Sequence, residues 1–591
     1  MSATFAGLAL ALASLAQEPA STPATGFAGT AAGKEPRVEI AWNRFYDADE
    51  IYALLDRLAA AWPDLLRYAL IGHSEENREM RVYVLNDPAS GPDTSKPAMW
   101  VDGNVHGNEV QGSEAVVYLA WYLLENRGHN PQVDKLLEGS AFYLLPMVNP
   151  DGRAAWFRDA HTGSSSRSGR RPVDDDGDGR YDEDGPNDLD GDGHIVQMRK
   201  HVPGQGDYRL SADDPRILER VPDNDRGIRG DWILLGQEGL DDDGDGRINE
   251  DPPGGYDMNR SWPSMWEPDH VQYGAGPYPL YWSETRSVAR FIYAHPNIAS
   301  VQSFHNAGGM ILRGPGAEAF GNYPREDERV YDELGRKGER MLPFYRYMVI
   351  WRDLYTVFGG FVTWTYEGLG IISFTNELWN DRQRFPARGQ AQPWWDEGPQ
   401  ADRHFFDDAL MMGDGFVDWH PYEHPLYGPI EIGGFKKDVG RVPPSFMIEE
   451  MIHRNALFTI QHAAAMPRVV VAELTATALG GGLHAVDALF RNDHAIPTRT
   501  ARAAGQKIGA PDVFTIQGEG LETLAGGFRT DRFRPERIEL AEREPGRLLS
   551  ERGVPGRGEV RVRWFVRGSG EATVSWRGEK GREASASLRI P

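Results

Sequence analysis

Three scattered stretches of this chain hold side chains suited to binding a cation and moving protons. The first is His106-Gly107-Asn108-Glu109. In a tight turn a His and a Glu three apart can face one point, and zinc accepts imidazole nitrogen and carboxylate oxygen at about 2.0–2.2 Å. The chain has no cysteine, so any zinc must use these two donor types. A third ligand has to come from elsewhere, and Ser303-Phe304-His305-Asn306 places a His at the end of an apolar stretch. The second stretch, Ser373-Phe374-Thr375-Asn376-Glu377-Leu378, sets an acid in an apolar run. That is costly unless the acid is paired or used. Beside a metal-activated water, such a carboxylate takes the proton and passes it to a departing amine. The third stretch, Gly255 to Trp262, carries Arg260, whose planar fork fits a carboxylate with two hydrogen bonds. Each residue alone has an ordinary structural explanation, such as a strand-end His, a salt-bridged Glu or a surface Arg.

A different chemistry is written in two acidic segments. Asp174 to Asp192 holds ten acidic side chains and one Arg, and Asp241 to Asp251 holds six and one, so they carry −9 and −5 of the net −25. The runs from Asp174 to Asp182 and from Asp241 to Asn249 are near copies, and Asp188 to Gly193 is a shorter third. Oxygens at alternate positions with a glycine sixth are what a calcium loop needs, because the glycine permits the sharp turn. The expected ligands are Asp174, Asp176, Asp178 and Asp182, then Asp188, Asp190 and Asp192, then Asp241, Asp243 and Asp245. Position twelve, usually a bidentate Glu, is Gly185 or Pro252; Asp184 and Asp251 precede them as substitutes. Helical patterns do not flank these loops, so they are not EF-hands, and the alternative is a solvated acidic loop.

The elements that must position these groups read as alternating helices and strands over residues 36–465. Helical spacing runs through Asp49–Trp62 and Ser113–Asn126, the latter with Ser113 as its cap. Strand patterns occupy Glu79–Leu85, Pro97–Val101, Ala141–Val148 and Ile298–Phe304. The alternation predicts an α/β domain, a mixed central sheet flanked by helices, with its site at the C-terminal strand ends. Residues 159–256 break this pattern with Gly, Asp, Arg and Pro and read as a functional insertion. Trp394, Trp395, Trp419 and the His420–His424 loop either wall the cleft or pack the core, with packing the favoured reading. From 467 to 591 short Gly-punctuated strands, including Val560–Arg567 and Glu571–Trp576, predict an all-β sandwich domain.

Composition narrows the function. A chain of 591 residues with 40% hydrophobic and 11% aromatic residues folds, and needs more than one core. The acidity argues against a nucleic-acid partner. No later run approaches the ~18 apolar residues of a membrane span. Residues 1–16 read as a signal peptide lacking a basic n-region and 17–35 as a flexible linker, which predicts a secreted or periplasmic protein. No Gly-x-Ser-x-Gly occurs, which disfavours a serine hydrolase.

In chain order, His106-x-x-Glu109, Asn149-Pro150-Asp151-Gly152, Asp257-Met258-Asn259-Arg260, Ser303-Phe304-His305 and Ser373-Phe374-Thr375-x-Glu377-Leu378 together resemble the zinc carboxypeptidase family, of the carboxypeptidase A type. Ile71-Gly72-His73-Ser74 ahead of Arg78 adds to the likeness, which spans about residues 40–380. The resemblance implies zinc on His106, Glu109 and His305, Glu377 as general base and acid, and Asn259 with Arg260 gripping the terminal carboxylate of a peptide substrate. It implies that Tyr355 closes over substrate and that Val362 floors a pocket for apolar side chains. It calls for an oxyanion-stabilising Arg after Asn149–Gly152, where Arg167, Arg170 and Arg171 are candidates and Arg170 is favoured. Asn108 departs from digestive members that carry an Arg there, so one substrate contact is in doubt. The expectation is hydrolysis of C-terminal peptide residues. The alternatives are cell-wall peptides with D-residues or acylated amino acids as substrates, or a calcium-dependent adhesion or scaffold protein with no activity.

Overall fold

A computed structural model describes residues 35–591 except 164–165, 171, 173, 175–176, 223–226, 228, 385–399, 532 and 535. The leader and linker expected over 1–35, except residue 35 itself, lie outside these residues, as do Arg171, Asp176, Trp394 and Trp395.

Eight strands form the central sheet, in the order Leu66–His73, Glu79–Leu85, Ala141–Leu145, Ala98–Gly103, Ile298–Asn306, Ile372–Leu378, Met310–Arg313 and Arg346–Val349. The middle four run parallel; the edges add antiparallel pairs, so the sheet is mixed. Buried parallel strands carry continuous apolar sequence rather than alternation, and Ala98–Gly103 and Ile298–Asn306 are buried at every position.

Helices Ala48–Ala61, Gln111–Asn126 and Ile448–Ala463 cover one face of the sheet, and Ser283–Ala294 and Phe361–Glu367 cover the other. Asp47 and Glu50 close a reciprocal capping box at the first helix. Helix Gln111–Asn126 is buried on every side. It begins two residues earlier than its pattern suggests, with no side-chain cap at Val110. Ser113 is not the cap: it sits inside the helix and donates to the Pro146 carbonyl at 2.7 Å, because burial gives the hydroxyl a tertiary acceptor.

The 159–256 insertion contributes four strands, Gln197–Gly206, Tyr208–Leu210, Leu218–Arg220 and Gly230–Gln237, to a six-stranded sheet completed by the hairpin of Phe416–His424 and Gly428–Phe435. Two segments far apart in sequence therefore fold as one accessory layer. Its core is Val196, Met198, Ile430 and Ile432. Arg199 is stacked between Trp232 and Trp419 at 4.5 and 4.1 Å and pairs with Glu431 at 2.7 Å. Trp419 and His424 thus pack this layer, His424 reaching the Gly239 carbonyl at 2.8 Å.

Beyond Val469, a five-stranded and a four-stranded sheet enclose a core of Val486, Phe490, Phe514, Trp564 and Trp576. Thr500 donates to the Gly370 carbonyl and Lys580 to that of Ile298, at 2.9 and 2.8 Å, which docks this sandwich on the α/β part. Among the described residues, no helix is long and apolar enough to cross a membrane.

Candidate metal centre and substrate pocket

Three adjacent parallel strands decide the site. Register places Asp102 beside Ser303 and His305 beside Glu377. The strand ends therefore stop level, and the turns that follow them share one edge. Past Gly103 the chain enters the His106–Glu109 turn. That turn needs glycine at 107, because a Cβ there would lie 2.5 Å from Gly152 Cα. The Asn149–Gly152 motif is packed directly against it. Asn149 caps its own helix by accepting from the Gly152 N–H at 2.8 Å, and its amide donates to the Ser168 carbonyl at 3.0 Å. Buried Asp151 accepts from Ser74 at 2.6 Å and from Arg78 at 2.9 Å, tying in the early strand turn.

His106, Glu109 and His305 are each no more than 3% exposed, and they offer ligand atoms all within 4.8 Å of one another. The two imidazole centroids lie 4.9 Å apart. His106 Nδ1 is 2.9 Å and His305 Nδ1 3.0 Å from the two Glu109 oxygens. Two imidazoles and one carboxylate form a donor set of the kind that holds zinc with three protein ligands and leaves a fourth position open. Burial would raise the Glu109 carboxyl, but His106 and then His305 hold it well below the usual carboxylate range. The other His106 nitrogen, Nε2, meets Asp257 Oδ1 at 3.0 Å, which orients the ring. Burial opposes ionisation of Asp257 too, and His106, Arg260 and Arg167 together keep it far below its ordinary value.

Glu377 is half-buried and opens into the pocket beside the trio. Burial, and then the Glu109 carboxylate, pushes it up to about 7. A cavity of about 220 Å³ is lined by these groups, by Asn259 and Arg260, and by the apolar Leu312, Ile350, Val357, Phe361 and Val362. Arg260 is buried in the lining; Asn259 Oδ1 accepts from the Phe361 N–H at 2.9 Å, which ties Asn259 to the apolar lining. Tyr355 is 53% exposed and stands at the rim.

The structure brings Arg167, not the favoured Arg170, to the centre. The Arg167 carbonyl accepts from the Gly107 N–H at 2.9 Å, so its backbone is fastened to the metal motif. Its guanidinium reaches Glu109 at 3.1 Å and Asp257 at 3.0 Å. Arg170, three residues on, points away and pairs with Glu76 at 3.2 Å. Asn108 is buried, and its amide donates to the Gly163 carbonyl at 3.2 Å. The sequence offered no motif for Arg441, which also lines the cavity; nor was Asp257 singled out, although its place in Asp257–Arg260 was a usable signal.

The aspartate loops form a second cluster. Asp174 accepts from the N–H groups of Gly177 and Gly179, and Asp241 from Gly244 and Gly246, at 2.6–3.1 Å. Asp188 repeats the pattern with Gly191 and Gly193, both at 2.9 Å. Asp182 and Asn249, equivalent in the two copies, both adopt positive φ (53° and 63°), and Asp184 bridges to Asp251. The copies therefore pair about a local two-fold. Two sets of carboxylates gather across the copies: Asp178 with Glu183 and Asp243, and Asp184 with Asp243 and Glu250. Asp241, Asp243 and Asp245 form a third set, and Asp188 and Asp190 meet Glu238 in a fourth. Asp174, Asp182 and Asp192 belong to none of these sets. Glu183, Glu238 and Glu250 were missed because they fall off the alternate-position pattern.

The sequence profile of the zinc carboxypeptidase family matches residues 51–186 and 235–401, just over half of the chain, and a second profile, of a domain of unknown function, matches 468–589. Carboxypeptidase B of Astacus astacus is 34% identical over 127 residues, covering 22% of this chain and 40% of that protein. Carboxypeptidase D of Mus musculus is 37% identical over 98 residues, 17% of this chain and 7% of that protein. This chain thus spans less than half the length of these relatives. Among solved structures, carboxypeptidase A from Helicoverpa armigera aligns at a TM-score of 0.42 with 16% identity, over 72% of this chain and 75% of that one.

Proposed function

Because the chain belongs to the zinc carboxypeptidase family, we propose that it is a zinc-dependent metallocarboxypeptidase removing C-terminal residues from peptides. The observation that carries this reading is the convergence of His106, Glu109 and His305 beside Glu377, in a pocket that Arg260 and apolar walls also line.

His106 and His305, through Nδ1, and Glu109 would hold the ion, with Asp257 fixing the His106 ring. Zinc bound there supplies Lewis-acid polarisation of a carbonyl and a water of lowered pKa. Glu377, raised toward neutrality, takes a proton from the attacking water on its carboxylate and returns it to the departing amine nitrogen. Arg167 aims N–H donors at the carbonyl oxygen as negative charge develops on it. Asn259 and Arg260 bind the substrate's terminal carboxylate, and Tyr355 covers it. Apolar lining around Val362 favours apolar or aromatic C-terminal side chains. The test is hydrolysis of benzoyl-Gly-Phe against its C-terminal amide by zinc-loaded protein. Equal rates on both, or none on either, would defeat the proposal.

A second reading concerns the insertion, which we propose is ordered by calcium. Four sets of three carboxylates within 4.8 Å support it, since such groups repel one another unless a hard cation joins them. Calcium titration by calorimetry tests it; no heat of binding would reject it. We also take the N-terminal apolar run as an export signal, which the mass of the mature N-terminus would check.

A further inference from the structure

We propose that Arg441 is a substrate-binding residue, holding a main-chain carbonyl oxygen upstream of the scissile bond. The inference rests on the peptidase reading above. Arg441 lies outside both stretches that match the family, in the segment that follows the accessory hairpin. That segment nonetheless returns to the metal centre. The Arg441 carbonyl accepts from Gln111 Nε2 at 2.9 Å and from Asn306 Nδ2 at 3.2 Å. Its Nε donates to Asn306 Oδ1 at 3.3 Å and its Nη2 to the Asn306 carbonyl at 2.8 Å. Gln111 stands two residues after Glu109 and Asn306 one after His305, so the arginine is bolted to both ligand motifs.

Its charge is also less neutralised than that of its neighbour. Arg167 makes close ion pairs with two carboxylates, at 3.1 and 3.0 Å. Arg441 has one longer contact, 3.5 Å to Glu109, and its shorter bonds go to neutral oxygens of Asn306. The side chain is 34% exposed on the cavity wall that includes Glu377. A rigid cation with donor capacity and an open face recruits an oxygen acceptor.

Position says which oxygen. Arg260 adjoins the metal trio through Asp257 and His106, whereas Arg441 adjoins it through Asn306 and His305. The chain of contacts thus runs from Arg260 through Asp257 and His106 to Glu109, and from Glu109 to Arg441. For a peptide with its terminal carboxylate on Arg260 and its scissile carbonyl at the trio, Arg441 is the next cation along that chain. The first group available there is the preceding main-chain carbonyl.

The test compares two N-capped substrates that differ only upstream: one keeps the amide carbonyl before the penultimate residue, the other has an all-carbon chain of equal length. For zinc-loaded Arg441→Gln, kcat/KM on the amide substrate should fall roughly 10- to 100-fold, chiefly through KM, with an effect within about twofold on the all-carbon one. Arg441→Lys, which keeps a cation, should retain part of the preference for the amide. Equal losses on both substrates, loss of bound zinc, or no loss at all would overturn the assignment, the first two by showing that Arg441 only braces the metal turn. If the wild-type protein cleaves neither substrate, the peptidase reading falls first and this inference with it.

Discussion

The His106–Glu109–His305 trio and the paired aspartate loops both gather donor atoms, but they are built in opposite ways. The trio is buried, its members come from strand ends up to two hundred residues apart, and its single carboxylate is balanced by two imidazoles and two guanidinium groups. The loops are made locally, the first aspartate of each satisfied by N–H groups three and five residues on, and their carboxylates face other carboxylates. Tertiary packing therefore assembles the first set of donors, while the second crowds like charges whose repulsion a bound cation would relieve.

The sharpest break between them should come from ligand removal. His305→Ala should lose bound zinc and reduce peptidase activity to background, measured by metal analysis and turnover, while leaving calcium binding as it was. Glu377→Gln should lower kcat by about 10³-fold with zinc content intact; near-normal turnover would remove Glu377 from the chemistry. Arg167→Ala should cost about 10²-fold in kcat. Arg170→Ala, which breaks only a partly exposed pair with Glu76, should cost about twofold or less.

The smallest effect belongs to the loops. Asp243 belongs to three of the four carboxylate sets, so Asp243→Asn should erase a calcium-dependent gain of about 2–4 °C in Tm. That gain should itself depend on pH. Burial, and then Asp190 and Asp188, pushes the Glu238 carboxyl up to about 7, above its unfolded value. The metal-free fold therefore keeps a proton that the unfolded chain has released, and its stability falls as pH rises from about 5 through 7. Calcium needs the ionised form, so the gain in Tm should be larger at pH 8 than at pH 5. A calcium effect that is equal at both would sever Glu238 from the ion.

Much of the candidate site was legible because its motifs are short and each sits where a strand ends. His106, Glu109, His305 and Glu377 could be named from spacing and residue type, and the α/β alternation was visible in the apolar runs. The aspartate repeats were equally plain, since a local turn writes its whole pattern into consecutive residues. Tertiary structure alone decided the rest. Which of three nearby arginines faces the trio depends on a hydrogen bond from Gly107 to the Arg167 backbone, and no local pattern encodes that. The pairing of the 159–256 insertion with the hairpin near 430 joins segments some two hundred residues apart, and hydrogen bonds to Gln111 and Asn306 bring Arg441 back to the trio. Residue type and local period are properties of neighbours in the chain; the aim of a guanidinium and the sharing of a carboxylate between two loops are properties of neighbours in space.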